Sequence, residues 1–345
     1  MKKHIIITLV LILTFTLALA GCGNSASSNS QSNSQSEEAP QENTGATKVF
    51  KIGISQFVEH PALDAARQGF IDGLKEAGFE EGKNIEIILE NAQADFPTTQ
   101  TIANDLVSQN VDLILAIATP SAQSAANATK DIPILITAVT DPVAAGLAKS
   151  LEKPGTNVTG TTDMNPVKEQ IELLKEILPD AQNIGIIYNA GEPNSVIQVN
   201  IAKKAAEDIG LQVLEATVAS SSEVNQAIQS LAGRVDAIYT PTDNTVASAI
   251  SAIVMAANDA KIPIIGAERG HVDGGALASL GIDYYLLGKQ TGHVAARVLY
   301  GENPADTPIE GSKDLKLIIN KKSAEILDLD IPEPVLSRAD EIIEK

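Results

Sequence analysis

The chain has no Trp, one Cys and four His in 345 residues, and aromatics make up only 3%. A single cysteine excludes a disulfide framework, a zinc ribbon and two-cysteine redox chemistry. The histidines (His4, His60, His271 and His293) lie far apart, so no metal-ligand spacing emerges. Positive charge is also short. Lys plus Arg number 25 against 44 Asp plus Glu, giving a formal charge of −19. Nucleic acids are held by cations that neutralise phosphates, so such a partner is not expected. Nor is a body that lies flat on anionic lipid. There is no Gly-x-Ser-x-Gly elbow, no phosphate-binding Gly-rich loop and no paired His on a helix. With 44 acids two carboxylates can always meet, but no spacing singles out a pair. No catalytic residue, cofactor or metal is therefore expected.

What is present begins with an address. Lys2 and Lys3 precede an apolar run from Ile5 to Ala20, the pattern of an export signal. The run is shorter than the ~20 residues of a comfortable membrane span. It ends Leu19-Ala20-Gly21-Cys22, which resembles the lipobox of bacterial lipoproteins. That resemblance implies cleavage before Cys22 and lipidation of its sulfur. Residues 1–21 would be the signal. Residues 22–48, rich in Ser, Asn, Gln and Glu, would be a disordered tether with almost nothing to bury. The expected location is the outer face of the cell membrane, reached through the lipid alone.

From Val49 onward, apolar β-rich runs alternate with longer helical stretches. Strands are expected at 49–54, 85–89, 113–116, 134–137, 184–188, 212–216, 237–239 and 263–265. Helices are expected at 62–77, 99–109, 122–129, 167–177, 195–209, 223–231 and 245–258. Continuous apolar strands separated by helices argue βαβ units and an α/β fold. The order strand, Thr-Pro turn, helix, Ile-Pro strand occurs twice, at Thr119-Pro120 and at Thr240-Pro241. Thr before Pro is also a common helix start, so the repeat only leans toward two similar lobes facing one cleft.

Ligands of open α/β sheets bind outside the carboxyl ends of the strands. The polar residues there are Ser55, Gln56, Asn91, Gln93, Thr119, Ser121, Thr140 and Asp141 in the first half. In the second half they are Tyr188, Asn189, Thr240, Asp243, Asn244 and Glu268. Free N–H groups at a helix start after Thr119 or Thr240 suit a carboxylate. Asp141, Asp243 and Glu268 suit an ammonium. Both together suit a zwitterion and disfavour a multiply phosphorylated ligand. Phe57, Phe96, Tyr188 and Tyr284 offer apolar walls.

A dozen segments in order then resemble the bacterial ABC-transporter substrate-binding lipoproteins that include tryptophan- and tyrosine-binding members. Among them are Gly53-Ile54-Ser55-Gln56-Phe57-Val58-Glu59-His60-Pro61, Asn91-Ala92-Gln93, Ala116-Ile117-Ala118-Thr119-Pro120, Val139-Thr140-Asp141-Pro142, Tyr188-Asn189, Pro241-Thr242-Asp243-Asn244-Thr245 and Gly281-Ile282-Asp283-Tyr284-Tyr285. The resemblance spans nearly all of residues 49–320. It implies the type I periplasmic-binding-protein fold: two Rossmann-like lobes with parallel sheets, joined by three crossovers and closing over a ligand. The first lobe would be 49–163 plus 284–308, and the second 164–283 plus 309–345. Crossovers would fall near 161–165 and 281–284, with a third returning the strand 315–319 to the second lobe.

Carried onto this chain, Thr119 and Ser121 would hold a ligand carboxylate, and Asp243 with Asn244 would face its ammonium. Gln56, Asn91, Thr140, Asp141, Tyr188, Asn189 and Tyr284 would line the rest. With no Trp in the walls, an aromatic ligand would meet Phe and Tyr. The expected function is to bind an amino acid, aromatic by family analogy, and deliver it to permease and ATPase subunits, acting as a monomer. A surface sensor or adhesin with the same cleft, and a nucleoside or sugar binder, are the alternatives.

Overall fold

Runs of Ile, Leu, Val and Ala bury both of their faces and assemble into two separate sheets. The computed structural model describes residues 48–312 and 314–344, and these form one compact unit. The expected export signal, Cys22 and the expected tether up to residue 47 lie outside the described residues.

In chain order the first lobe runs β1 (Phe50–Gln56), α1 (Pro61–Glu76), β2 (Ile85–Asn91), α2 (Phe96–Ser108), β3 (Leu113–Ile117), α3 (Thr119–Ala128), β4 (Ile134–Thr137) and β5 (Val158–Thr162). The second lobe continues with α4 (Val167–Ile177), β6 (Asn183–Tyr188), α5 (Pro193–Asp208), β7 (Gln212–Thr217), α6 (Val224–Leu231), β8 (Ala237–Thr240), α7 (Asn244–Ser248), α8 (Ile250–Asp259), β9 (Ile264–Gly266), α9 (Arg269–Asp273) and β10 (Ala278–Ile282). Then α10 (Tyr284–Leu299) and β11 (Glu310–Gly311) return to the first lobe. Finally β12 (Leu315–Asn320), α11 (Lys321–Leu327), α12 (Glu333–Leu336) and β13 (Glu341–Ile343) close the second.

The first sheet has the order β11-β5-β4-β3-β1-β2 and the second β13-β12-β10-β9-β8-β6-β7. Pairing is parallel throughout except for β12, which runs antiparallel to β10 with Leu280 opposite Leu317. Each lobe is a doubly wound α/β unit with its switch point between its first and third strands, β1/β3 in one and β6/β8 in the other. One apolar core serves the first lobe. The second sheet carries a core on each face.

Three segments cross between lobes: β5 into α4, β10 into α10, and β11 into β12. Glu310 and Gly311 pair with Thr161 and Thr162. The chain therefore stays in the first sheet through Gly311, past the expected boundary at 308/309. Strands β5 and β10 were not among the eight strands expected from apolar runs. β5 reads Val-Thr-Gly-Thr-Thr, yet it is wholly buried. Its hydroxyls are satisfied inside, Thr159 donating to the Thr307 carbonyl at 2.8 Å and Thr161 meeting Thr291 at 2.7 Å. The helix expected over 245–258 is two, broken at Ala249, whose φ is −112° and ψ 10°.

Helix α10 anchors the second crossover. Gly69 and Gly73 of α1 face Gly288 and Gly292 of α10 so closely that a Cβ on Gly288 would run into the Ala66 carbonyl, and one on Gly69 into that of Tyr285. Only glycine permits backbones this near. The pair fixes where Tyr284, the first residue of α10, enters the cleft.

Candidate functional site

The carboxyl ends of both sheets face each other. Between them lies a cavity of about 10 Å³ lined by His60, Leu63, Ala138, Thr140, Asp163, Asn194, Thr242, Asp243, Asn244, Ala247, Glu268 and Tyr284. That is room for about one water molecule, so anything larger enters only when the lobes part. Polar contacts cross between the two faces. His60 Nε2 lies 3.4 Å from Asn244 Oδ1, and Gln198 Nε2 donates to Thr140 Oγ1 at 3.2 Å.

The local backbone at the first-lobe strand ends is unusual. Gln93, Ala94, Ala118 and Ala138, just past β2, β3 and β4, all have positive φ without being glycine. Such conformations cost about 1–3 kcal/mol each and collect at functional sites. Ala118 (φ 76°) is the N-cap of α3 and offers no side-chain cap. The hydroxyls of Thr119 and Ser121 in the first turn are buried and have no hydrogen-bond partner among the described residues. Here is a helix start with donors unspent.

The second lobe treats its equivalent turn differently. Asp243 is the N-cap of α7 and accepts from Val246 N at 2.8 Å and Asn189 N at 2.6 Å. Glu192, fully buried, accepts from Asn244 N (3.0 Å), Asn244 Nδ2 (2.6 Å), Thr245 N (2.9 Å) and Thr245 Oγ1 (2.8 Å). Burial, then the charge of Glu192, holds the Asp243 carboxyl well above the usual range.

The unspent acids are Asp163 and Glu268. Tyr284 donates to Asp163 Oδ2 at 2.6 Å, but among the described residues Asp163 Oδ1 has no partner, and neither has Glu268 Oε2. Both residues are buried and both line the cavity. Burial raises the Asp163 carboxyl. Burial, and then the Asp163 charge, pushes Glu268 up to about 8. No Lys or Arg lines the cavity. The histidines do not serve as cations: burial lowers His60 to about 4 and, with the field of His60, His271 to about 3. Two carboxylates facing one space without a positive partner are electrostatically unfinished.

Of the residues expected from sequence, Thr140, Asp243, Asn244 and Tyr284 line the cavity. Thr119 and Ser121 stand at the neighbouring strand end with free hydroxyls. The others are spent locally. Gln56 donates to Val58 O and Asp64 and accepts from Arg67, so it serves the start of α1. Asn91 accepts from Gln93 N at 2.7 Å. Asp141 caps the turn through Val143 N and Ala144 N. Tyr188 donates to Glu215 at 2.7 Å along β7. Asn189 is consumed by Thr245 and Gly191.

His60, Asp163, Asn194 and Glu268 were not in the expected set. Glu268 had been noted as suited to a cation. Asp163 was visible only as the acid ending Thr161-Thr162-Asp163 at the first crossover. Among the described residues no cluster of three or more His, Cys, Asp and Glu could hold a metal ion. No helix among them is long and apolar enough to cross a membrane.

A family model described as ABC transporter substrate binding protein matches residues 51–343. A tyrosine-binding protein of Clostridioides difficile is 50% identical over 293 residues, covering 84% of this chain and 85% of that protein. Among solved structures, the ABC domain in complex with L-Trp from Streptococcus pneumonia is 42% identical with a TM-score of 0.83. The ligand-free, open structure of a substrate binding protein with adhesive properties from Clostridium difficile is 50% identical with a TM-score of 0.65. Each solved structure covers 86% of this chain and is itself matched over its whole length. The more identical sequence superposes less well. In this chain residues of both lobes meet across the cavity of about 10 Å³.

Proposed function

Because the chain belongs to the ABC transporter substrate-binding proteins, we propose that its solute is an aromatic amino acid, held between the closed lobes by both ends of the zwitterion. The ammonium sits between Asp163 and Glu268. The single observation that carries this reading is that both carboxylates keep an unpartnered oxygen in a buried space with no Lys or Arg in its lining. Thr119, Ser121 and the first N–H groups of α3 receive the carboxylate, where hydroxyl donors and the positive end of the helix dipole coincide. Asp243 and Asn244 shape the wall and hold α7 rather than pairing with the ligand. Relatives that bind tyrosine and tryptophan support the aromatic choice.

Closure follows from the same electrostatics. In the open state Asp163 and Glu268 are hydrated, and shutting them away uncompensated is costly. A ligand ammonium supplies the missing charge, so the closed state is favoured when the solute is present. The solute then passes to permease and ATPase subunits, which carry the chemical step. Cys22 anchors the chain by lipid at the extracytoplasmic face, and the segment 22–48 is its tether. The lipid reading is tested by labelled palmitate, which should enter the wild-type chain and not Cys22→Ala.

The solute reading is tested by calorimetry on the body, residues 48–345. Tyr, Trp and Phe should bind at one per chain and be returned unchanged. Glu268→Gln and Asp163→Asn should each weaken binding by about tenfold or more, since hydrogen bonds to charged groups contribute about 1.5–3 kcal/mol. Binding of a sugar or nucleoside with no response to any amino acid would sink it.

A further inference from the structure

Beside the central cavity lies a second, larger space that the reading above does not use. It measures about 390 Å³ and opens on the flank of the cleft where α1 meets α9 and the second crossover. Glu268 and Tyr284 line both spaces, so the two adjoin. Its walls are mainly apolar: Ala62 and Ala65 from α1, Ile282, Tyr284 and Tyr285 from the crossover, and Ile318 from β12.

Its charged rim is already paired. Arg269 makes a two-pronged contact with Glu341 (2.6 and 2.9 Å) and reaches Asp273 at 3.1 Å. Lys316 pairs with Asp283 at 3.2 Å. Apart from Glu268, which it shares with the central cavity, no unpaired charge is left for an acidic or basic side chain. The lining does contain one unspent neutral group. Ser279, in β10, is fully buried, and its hydroxyl has no partner in the chain.

We propose that this flank pocket is the side-chain subsite: it takes an aromatic ring carrying one polar atom at its edge, with the Ser279 hydroxyl as the partner of that atom. The inference rests on the zwitterion reading, because the head group at Asp163 and Glu268 is what aims the ring through the Glu268–Tyr284 boundary. Size and chemistry agree. A space of this volume holds a phenol or indole, its alkyl and aromatic walls suit a ring face, and a buried hydroxyl distinguishes tyrosine from phenylalanine. Sites that hydrogen-bond a substrate hydroxyl discriminate strongly against the analogue lacking it, because their own polar group is left unpaired.

The test is titration of Tyr, Trp and Phe into the body (48–345) and two variants. Solved relatives matched over their full length to this same body show that it folds by itself. Wild type should prefer Tyr to Phe by about tenfold or more. Ser279→Ala should level that preference by weakening Tyr, with Phe changed less than about twofold. Ala65→Phe, which fills the pocket from α1, should weaken all three ligands by about tenfold or more while the melting temperature is kept. A Tyr-to-Phe ratio unchanged in Ser279→Ala, or full aromatic binding by Ala65→Phe, overturns the subsite while leaving the amino acid reading intact. Failure of wild type to bind any amino acid overturns both.

Discussion

The two Thr-Pro turns look alike in sequence and do opposite work. At the first, Thr119-Pro120-Ser121 opens α3 directly, and both hydroxyls remain without partners. At the second, Thr240-Pro241-Thr242 is followed by Asp243, and the start of α7 is sealed by that residue and by Glu192 from the neighbouring strand end. One helix start keeps its hydroxyls unspent, and the other is closed by the protein's own acids. A short motif sets where a helix begins. Whether its N–H groups are still available depends on what the rest of the fold brings beside it.

That contrast can be broken first where the cost is largest. Glu192→Ala removes the acceptor of five hydrogen bonds inside the second lobe. It should lower unfolding free energy by about 3–5 kcal/mol, read by urea denaturation, because several buried donors lose their partner at once. The equivalent change at the open turn should behave in reverse. Thr119→Ala with Ser121→Ala should leave stability within about 1 kcal/mol and weaken amino acid binding about thirtyfold or more, read by calorimetry. Equal stability losses at the two turns would erase the distinction.

The pH response sharpens it further. Glu268 is raised from 4.5 in the free chain to about 8 when folded. The folded state therefore keeps a proton that the unfolded state has released. This contribution to stability is full below about 4.5 and is lost as pH rises toward 8. The ligand-free protein should melt lower across that window, and the shift given by an amino acid should grow across it. Glu268→Gln should remove its share of both trends and leave the part that Asp243, raised from 3.8 to about 7, contributes. His60 and His271 work in the other direction. Their lowered values make stability present above 6.5 and lost as pH falls toward 4 and then 3. The smallest effects belong to residues spent in turns. Asn91→Ala and Asp141→Ala should change affinity by less than about threefold.

Much of the architecture was readable from local pattern. Runs such as Leu113–Ile117 and Ile134–Thr137 are apolar throughout and bury both faces, so their place in parallel sheets follows from composition. β5 escaped that reading because its Thr hydroxyls find partners only once Thr291 and Thr307 arrive from far along the chain. The site was legible in the same uneven way. Strand ends in open α/β sheets can be found from sequence, and they led to Thr119, Ser121, Thr140, Asp243 and Tyr284. Gln56 and Tyr188 sit at equally good strand ends, yet α1 and β7 consume their polar atoms.

Alternating apolar and helical segments, read alone, determined an α/β fold and the strand ends where its polar residues gather, while the two lobes came with the family resemblance. Period and burial are local properties of the chain. Only the tertiary structure decided which acids remain unpaired: Asp243 is saturated by backbone donors, while Asp163, at one crossover, and Glu268, far along the chain, come to share a space with no cation in its lining. A carboxylate is free or spent according to neighbours contributed by distant segments, and no local window of sequence contains them.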